Sequence, residues 1–336
     1  MKKLFIFAAA VLFSGAMQAR NWRINNLPEA KADFLSINAA MASADVVDGD
    51  ILYLDPGCHL PHQTITKGVT IIGNGFNLRS NEMESSVVSI SVDSKNVVLR
   101  GVHINEECSV SSSSTGFVIE RCKVGRLKCK GPFAHIASCY ITGSVWTDSA
   151  FPSLRLYNNI ILGTVSGISY GIIKNNVIVC DPGSGNYANY RCVYDVSNST
   201  IIDNIILNTN VSEVYRQQTI YFNNDYSSGN DIKGNILSND ADHVYADHPS
   251  NSYIGATVAD VFVNEGMYDE LYRLKEDSPA KGAGYGGNDC GPFAGMYPYV
   301  MSCRPKNIPY IYEAIVPNRP TDNKITVTVK AKNQDE

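Results

Sequence analysis

Aromatic and basic side chains recur at a regular interval in the middle of the chain. Tyr157 and Lys174 lie 17 residues apart, and Arg155 precedes Tyr157 by two residues. His135 and Lys233 extend the pattern on either side. A tyrosine ring can stack on the apolar face of a sugar, and a cation can bind a carboxylate. These residue types therefore predict a surface that contacts an acidic glycan. The competing interpretation is an ordinary solvated face.

This chemistry requires that the five residues come together, and a repeated pattern of aliphatic residues indicates how they do. Six segments each contain a central Cys or Asn, which we call the anchor. Ile or Leu stands three residues before every anchor, and Val, Ile or Leu stands two residues after it. The anchors are Cys122, Cys139, Asn159, Asn176, Asn204 and Asn235.

The intervals between these anchors are 17, 20, 17, 28 and 31 residues. Short repeated units with insertions of variable length indicate a solenoid. Each unit has a few β-forming residues, a bend and further β-forming residues, which favours an all-β parallel β-helix over a helical solenoid. Successive coils should stack about 4.8 Å apart. We expect the asparagine anchors to make the bend and to bond amide to amide between coils.

Alternation along a strand then assigns side chains to the outer surface. If the residue three positions before an anchor points inward, those two and four positions before it point outward. We expect two nearby cations without an acidic partner on this face. Asp203, directly before its anchor, is either an acid of the site or a turn residue. The residues that should share the face are His135, Arg155, Tyr157, Lys174 and, farther along, Lys233.

The N-terminus is typical of a secretory signal peptide. The stretch MKKLFIFAAAVLFSGAMQAR contains two lysines, an apolar run and small residues. Residues 1–19 would be removed by cleavage after Ala19, with Ala16 as the alternative, and the protein would be exported to the periplasm, the cell surface or the medium. The apolar run is too short to span a membrane, and no later segment qualifies. The net charge of −5 does not indicate a nucleic-acid partner.

Residues 20–295 are expected to form the β-helix domain. Apolar residues at helical spacing predict an amphipathic helix from Glu29 to Ala44, which would cover the open first coil. Residues 296–336 are expected to form a C-terminal extension with β-hairpin-like strands. Apolar and polar residues alternate there from Ile325 to Lys330, which predicts a strand with one apolar face. That face either packs along the solenoid or pairs with a second chain, so the protein could be an oligomer.

Nine cysteines in an exported chain are compatible with disulfide bonds. Cys180 and Cys192 bracket a glycine-rich segment, and Cys290 and Cys303 bracket another short loop. We expect both pairs to be disulfides, each worth about 3 kcal/mol in the chain-entropy treatment of loop closure. The alternative is that the cysteines are reduced and act as small apolar side chains.

Longer segments carry a resemblance to a known superfamily. GDILYLDPGCH, KGVTIIGNGFNL and KNVVLRGVHI resemble the opening coils of right-handed parallel β-helix proteins of the pectin-lyase-like superfamily. LYRLKEDSPAKGAGYGGNDCGPFAG is similar to the segment that closes many secreted bacterial members. The resemblance covers residues 32–295 and is strongest to uncharacterised members from Bacteroidetes. It implies a right-handed β-helix.

The resemblance also implies that the protein handles polysaccharide. The superfamily's enzymes cleave acidic polysaccharides by elimination or hydrolysis, but the RxPxxR motif of pectate lyases and the GHG and RIK motifs of polygalacturonases are missing. Ca²⁺ is implied by the resemblance alone, and no other cofactor is expected. His59 with His62, and the segment from Asp242 to His248, match no common metal-ligand spacing. The chain is therefore predicted to bind an acidic glycan or to cleave it by elimination. The alternative is a non-enzymatic adhesive or scaffold protein of the cell surface.

Overall fold

The chain winds into a right-handed parallel β-helix whose strands form three faces. We call them faces A, B and C, in the order in which the chain passes through them. The computed structural model describes residues 19–76, 84–147, 153–180, 191–209, 219–221, 229–238, 253–301, 310–315, 324 and 327–332. The predicted signal peptide lies outside these residues, except for Ala19. In the described part of the chain, no helix is long and apolar enough to cross a membrane.

Face A is a sheet of ten parallel strands, and each strand pairs with the strand of the next coil. Its strands are β1 (Asn21–Ile24), β2 (Ile51–Leu54), β5 (Thr70–Ile72), β8 (Val98–Arg100), β10 (Val118–Glu120), β12 (His135–Ala137), β15 (Arg155–Tyr157), β18 (Ile172–Lys174), β21 (Thr200–Ile202) and β24 (Asp231–Lys233).

Faces B and C belong to a single sheet of sixteen strands, because two long strands run along both faces. These long strands are β9 (His103–Val110) and β11 (Lys123–Cys129). The other strands of face B are β3 (His59–Leu60), β6 (Ser86–Val87), β13 (Tyr140–Ile141), β16 (Ile160–Ile161), β19 (Val177–Cys180), β22 (Ile205–Asn208), β25 (Ile236–Leu237) and β26 (Tyr253–Ile254). The other strands of face C are β4 (Gln63–Ile65), β7 (Ile90–Val92), β14 (Val145–Trp146), β17 (Val165–Ser166), β20 (Val193–Tyr194) and β23 (Ile220–Tyr221).

One aliphatic core fills the interior of the coils. In a single coil, Ile119 of face A, Val124 of face B and Leu127 of face C are all fully buried. They belong to one cluster with their counterparts in the coils above and below. The two aliphatic columns predicted from the sequence therefore point inward, as the alternation of side chains along a strand requires.

The asparagine anchors form a continuous ladder of buried side-chain amides. The Oδ1 atom of Asn176 accepts hydrogen bonds from the backbone N–H and the Nδ2 of Asn159, at 2.9 and 3.0 Å. Asn204 and Asn235 repeat the same two bonds to the anchor of the preceding coil. All four amides are fully buried. The predicted amide bonding between coils is confirmed, and it satisfies backbone donors that the sheet leaves unpaired at the corner.

The cysteine anchors form part of this arrangement in the earlier coils. The thiol of Cys139 donates to the carbonyl of Ala137 at 3.3 Å, and its backbone N–H donates to Asn159 Oδ1 at 2.9 Å. Asn176 donates in the same way to the carbonyl two residues before it, at 3.0 Å. A buried thiol thus replaces the amide as a weaker donor.

The bend itself lies one residue earlier than we predicted. The residue before each anchor has a left-handed backbone conformation, with φ between 53° and 64°. Glycine adopts this conformation freely, and Asn or Asp adopts it more readily than other residues. The anchor therefore bonds the coils, while its predecessor turns the chain from face A to face B. These turning residues are Arg121, Ser138, Asn158, Asn175, Asp203 and Gly234.

The N-terminal cap is shorter than the predicted helix. A 3-10 helix spans Pro28–Ala30, and helix α1 spans only Ile37–Ala42. Phe34 lies between them because its backbone pairs with the first strand. Its N–H donates to the carbonyl of Arg23 at 3.1 Å, and its carbonyl accepts from the backbone N–H of Asn25 at 3.1 Å. Ile37 and Met41 of α1 are buried against the first coils, so the short helix still covers the core.

A C-terminal layer covers the outer surface of face B. It includes helix α2 (Val258–Val261) and a 3-10 helix at Tyr268–Tyr272. Phe262, Cys290 and Tyr299 of this layer are buried in a second apolar cluster. The strands contribute their outward residues to that cluster, namely Tyr140, Ile160, Val177, Ile205 and Ile236.

The chain then forms a hairpin of β27 (Tyr310–Ile315) and β28 (Thr328–Lys332), which pair antiparallel. The five described side chains from Val327 to Ala331 are all exposed. The expectation that this strand packs its apolar face along the solenoid is therefore wrong, because Val327 and Val329 are each 50% exposed.

The structure contains one of the two predicted disulfides. Cys180 and Cys192 are bonded, with Cα atoms 5.5 Å apart. The Cys290–Cys303 bridge is not borne out, because Cys290 carries a free thiol. This thiol donates to the Gly234 carbonyl at 3.0 Å inside the layer over face B, where burial raises its pKa to about 12. Cys303 lies outside the described residues.

Replacing Asn204 by alanine should destabilise the protein by roughly 3 kcal/mol, since it leaves several buried backbone groups unpaired at about 1–3 kcal/mol each. Urea unfolding measures the loss. Asn105→Ala is the control, because Asn105 is exposed on β9. An Asn204→Ala protein as stable as the control would contradict the structural importance of the ladder.

Candidate functional site

The register of face A brings the predicted surface residues together. His135 pairs with Arg155, and Tyr157 pairs with Lys174 on the next strand. Their side chains point outward, because the intervening residue on each strand is buried in the core. Lys233 follows two coils after Lys174, with Ile202 between them. The predicted grouping is thus present, with Lys233 set apart from the others.

A third aromatic ring joins His135 and Tyr157 from a distant part of the chain. Tyr297 lies 5.2 Å from His135 and 5.4 Å from Tyr157 between ring centroids, while His135 and Tyr157 are 5.5 Å apart. We call these three residues together with Arg155 and Lys174 the face A patch. The repeat gave no signal for Tyr297, because this residue lies outside the coils.

The segment that carries Tyr297 is held along the corner between faces A and B. We call residues 284–299 the strap. Ser138 Oγ donates to the carbonyl of Tyr297 at 2.9 Å, and Asn158 Nδ2 donates to that of Pro292 at 2.9 Å and also to that of Ala294. Farther along, the backbone N–H of Tyr285 donates to Asp203 Oδ1 at 2.6 Å. The turning residues therefore hold the strap in place in addition to turning the chain.

The charges of the patch are only partly balanced. Lys174 Nζ lies 3.6 Å from the buried carboxylate of Asp203, so the expectation of two cations without an acidic partner is wrong for Lys174. Asp203 can reach this lysine because the left-handed turn directs its side chain toward the corner. Arg155 is exposed and forms no ion pair with any described residue. Its guanidinium is therefore available to an anionic ligand.

Lys233 belongs to a separate pair at the far end of the face. Its Nζ lies 2.9 Å from Asp231 on the same strand and 4.5 Å from the ring centre of Tyr285 in the strap. Because Lys233 already has an acidic and an aromatic partner, it is a weaker candidate for glycan contact than Arg155.

Burial shifts the titration of two groups in the patch. Desolvation lowers the pKa of His135 below 6.5, and the Arg155 charge lowers it further against the opposing effect of Glu120. Desolvation likewise raises the pKa of Tyr157. His135 is therefore mainly neutral at pH 7. A neutral imidazole can act as a base, and an arginine beside it can neutralise a carboxylate, which are the two groups that elimination requires.

Other polar groups of the described residues lie outside the face A patch. A cavity of about 700 Å³ lies where faces C and A meet, and its lining includes Asp48, Asp93 and Lys95. Asp93 is already bonded to Ser111 and Ser113. His59 and His62 bond serine hydroxyls rather than each other. Among the described residues, no group of three His, Cys, Asp or Glu could hold a metal ion. The segment from Asp242 to His248 lies outside them.

Comparison with known proteins finds a likeness in structure. No protein-family model and no curated protein matches the chain. A solved structure described as a pectate lyase, with an anti β-elimination mechanism, aligns with a TM-score of 0.44 and 10% sequence identity. The alignment covers 83% of this chain and 93% of that one.

The lowered pKa of His135 predicts how stability depends on pH. Below about pH 6.5 the unfolded chain binds a proton that the folded protein does not, so stability should fall as the pH drops from 6.5 toward the lowered pKa. His135→Gln should reduce this loss, as measured by thermal unfolding across that range. The exposed His62 provides the control variant His62→Gln. An unchanged pH dependence in His135→Gln would contradict the assignment.

Proposed function

We propose that this is an exported polysaccharide-binding protein whose face A patch binds an acidic glycan. The observation that carries the proposal is the cluster of three rings, His135, Tyr157 and Tyr297, beside Arg155, which has no ion pair with the residues that the structure describes. The Cys180–Cys192 disulfide supports export, since such bonds persist in oxidising compartments.

The two kinds of group would divide the recognition of a sugar acid. Tyr157 and Tyr297 offer ring faces to the C–H surface of a pyranose, and Arg155 offers paired N–H donors to its carboxylate. Lys174 adds a second positive charge, which the nearby carboxylate of Asp203 partly neutralises. Binding should therefore weaken as the salt concentration rises, because exposed charges are screened over about 10 Å at 0.1 M salt.

Elimination is the chemistry that the same residues would support if the ligand is also a substrate. His135 would remove the proton beside the carboxylate, Arg155 would stabilise the resulting negative charge, and the glycosidic oxygen would leave with the bond electrons. The product carries a carbon–carbon double bond, so its absorbance distinguishes cleavage from binding alone.

Arg155→Ala should weaken binding of polygalacturonate by about tenfold to a hundredfold, since a hydrogen bond to a charged group contributes about 1.5–3 kcal/mol. Titration calorimetry measures the affinity, and absorbance of the same mixtures detects any unsaturated product. Lys281→Ala removes an exposed cation outside the patch and is the matched control. Equal binding by wild type and Arg155→Ala would contradict the proposed site.

The exposed hairpin favours a second function, assembly of copies of this chain. A two-stranded hairpin with exposed valines is marginally stable alone and offers strand edges to a partner. Val327 and Val329 are the apolar residues that such pairing would cover.

Replacing both valines by serine should weaken self-association by at least about tenfold, because each buried valine contributes roughly 1.5–3 kcal/mol. Sedimentation velocity over a range of protein concentrations measures the change, with Thr328→Ser as the control. A wild-type chain that stays monomeric at every concentration would exclude this function.

A further inference from the structure

We infer that face C carries a second glycan-binding site, an aromatic platform for a neutral, extended polysaccharide that lies along the axis of the β-helix. The platform consists of Trp146 on β14, Ser166 on β17 and Tyr194 on β20. It is separate from the face A patch and does not depend on the function proposed there.

The register places the two rings in one column. Trp146 pairs with Ser166, and Ser166 pairs with Tyr194. Val145 and Val193, their neighbours on the same strands, are fully buried in the core, so Trp146 and Tyr194 point outward. Two strand spacings of about 4.8 Å separate their backbones by about 10 Å along the axis.

Both rings are partly exposed, with a small side chain between them. Trp146 and Tyr194 have intermediate exposure, and Ser166, which occupies the position between the rings, is 8% exposed. The indole N–H of Trp146 has no hydrogen-bond partner among the described residues, whereas that of Trp22 bonds Asp50 at 2.8 Å. A large amphipathic ring with a polar N–H group is the kind of residue that is enriched at binding surfaces.

The spacing selects an extended chain of equatorially linked sugars. Successive rings of such a chain are turned over relative to each other, so every second ring presents the same C–H face to a flat surface. Trp146 and Tyr194 lie two coils apart in the column, and Tyr221 pairs with Tyr194 on the coil that follows. The interval between Trp146 and Tyr194 and the repeat of the sugar chain run in the same direction, because the coils stack along the helix axis.

The polar residues of the column indicate a neutral ligand. Lys128 precedes Trp146 in the register, and the earlier positions are Ser109 and Ser91. These hydroxyl and ammonium groups can bond sugar hydroxyls. The column holds neither the guanidinium nor the imidazole found on face A, so a glycan without carboxylates fits it better than an acidic one.

A single exposed aromatic residue would not indicate a binding site, since isolated apolar residues are common on protein surfaces. The inference rests on two rings in one register column, at an interval of two coils, with a serine between them. A requirement for both rings is therefore the property to test.

Intrinsic fluorescence can report on the platform because the chain has only two tryptophans. In a Trp22→Phe protein, all tryptophan emission comes from Trp146. Neutral β-1,4-linked hexasaccharides of glucose, xylose or mannose should change this emission on titration, and the disaccharides should bind at least about tenfold more weakly.

The Tyr194→Ala substitution should weaken the binding of hexasaccharides about tenfold and leave that of disaccharides unchanged. Tyr170→Ala is the matched control, because Tyr170 is 63% exposed but lies outside the column. If no neutral hexasaccharide changes the emission, or if Tyr194→Ala binds it as tightly as Tyr170→Ala does, the platform is overturned.

A second measurement serves if Trp22→Phe fails to fold. Wild-type protein labelled with 5-fluorotryptophan should give two fluorine resonances, and Trp146→Phe identifies the one from Trp146. The inference predicts that a hexasaccharide shifts this resonance and leaves the Trp22 resonance in place. The opposite pattern, or no shift, contradicts it. Arg155→Ala should not alter either result, which separates this site from the face A patch.

Discussion

The buried amide ladder at the corner between faces A and B is the constraint on which the rest of the structure depends. A parallel β-helix must turn its backbone sharply in every coil, and each turn leaves donors and acceptors that the sheets cannot satisfy. Asn159, Asn176, Asn204 and Asn235 satisfy them with one repeated set of bonds. Because each amide bonds the coil before it, the ladder aligns the coils and keeps the outward side chains of neighbouring strands in register.

The strap shows how this repeated corner is connected to the surface chemistry. A turning residue has a left-handed backbone, so its side chain points away from the core toward the strap. Ser138 and Asn158 bond strap carbonyls directly, and Asp203 bonds both the strap and Lys174. Through these contacts, a segment outside the coils brings Tyr297 beside His135 and Tyr157. The face A patch thus combines residues from the repeat with a residue that the repeat does not contain.

The periodic part of the structure could be predicted from the sequence, and most of what lies outside the repeat could not. The pairing of Tyr157 with Lys174 followed from aliphatic spacing, because a fixed coil geometry converts sequence intervals into neighbours. The Asp203 contact depends on the left-handed turn, and the position of Tyr297 depends on how a non-repeating segment packs. Cys290 was assigned to a disulfide from local spacing, yet Cys290 is buried within the strap and its thiol donates to the Gly234 carbonyl instead.

Face A and the strap are proposed to form one glycan-binding surface. Hydroxyl-radical footprinting of the intact protein, with and without polygalacturonate, tests this proposal without altering the chain. We predict that the polysaccharide slows the oxidation of both Tyr157 and Tyr297, while the exposed Tyr170 reacts at the same rate in both samples. Unchanged oxidation of Tyr157 and Tyr297 in the presence of saturating polygalacturonate would contradict the account.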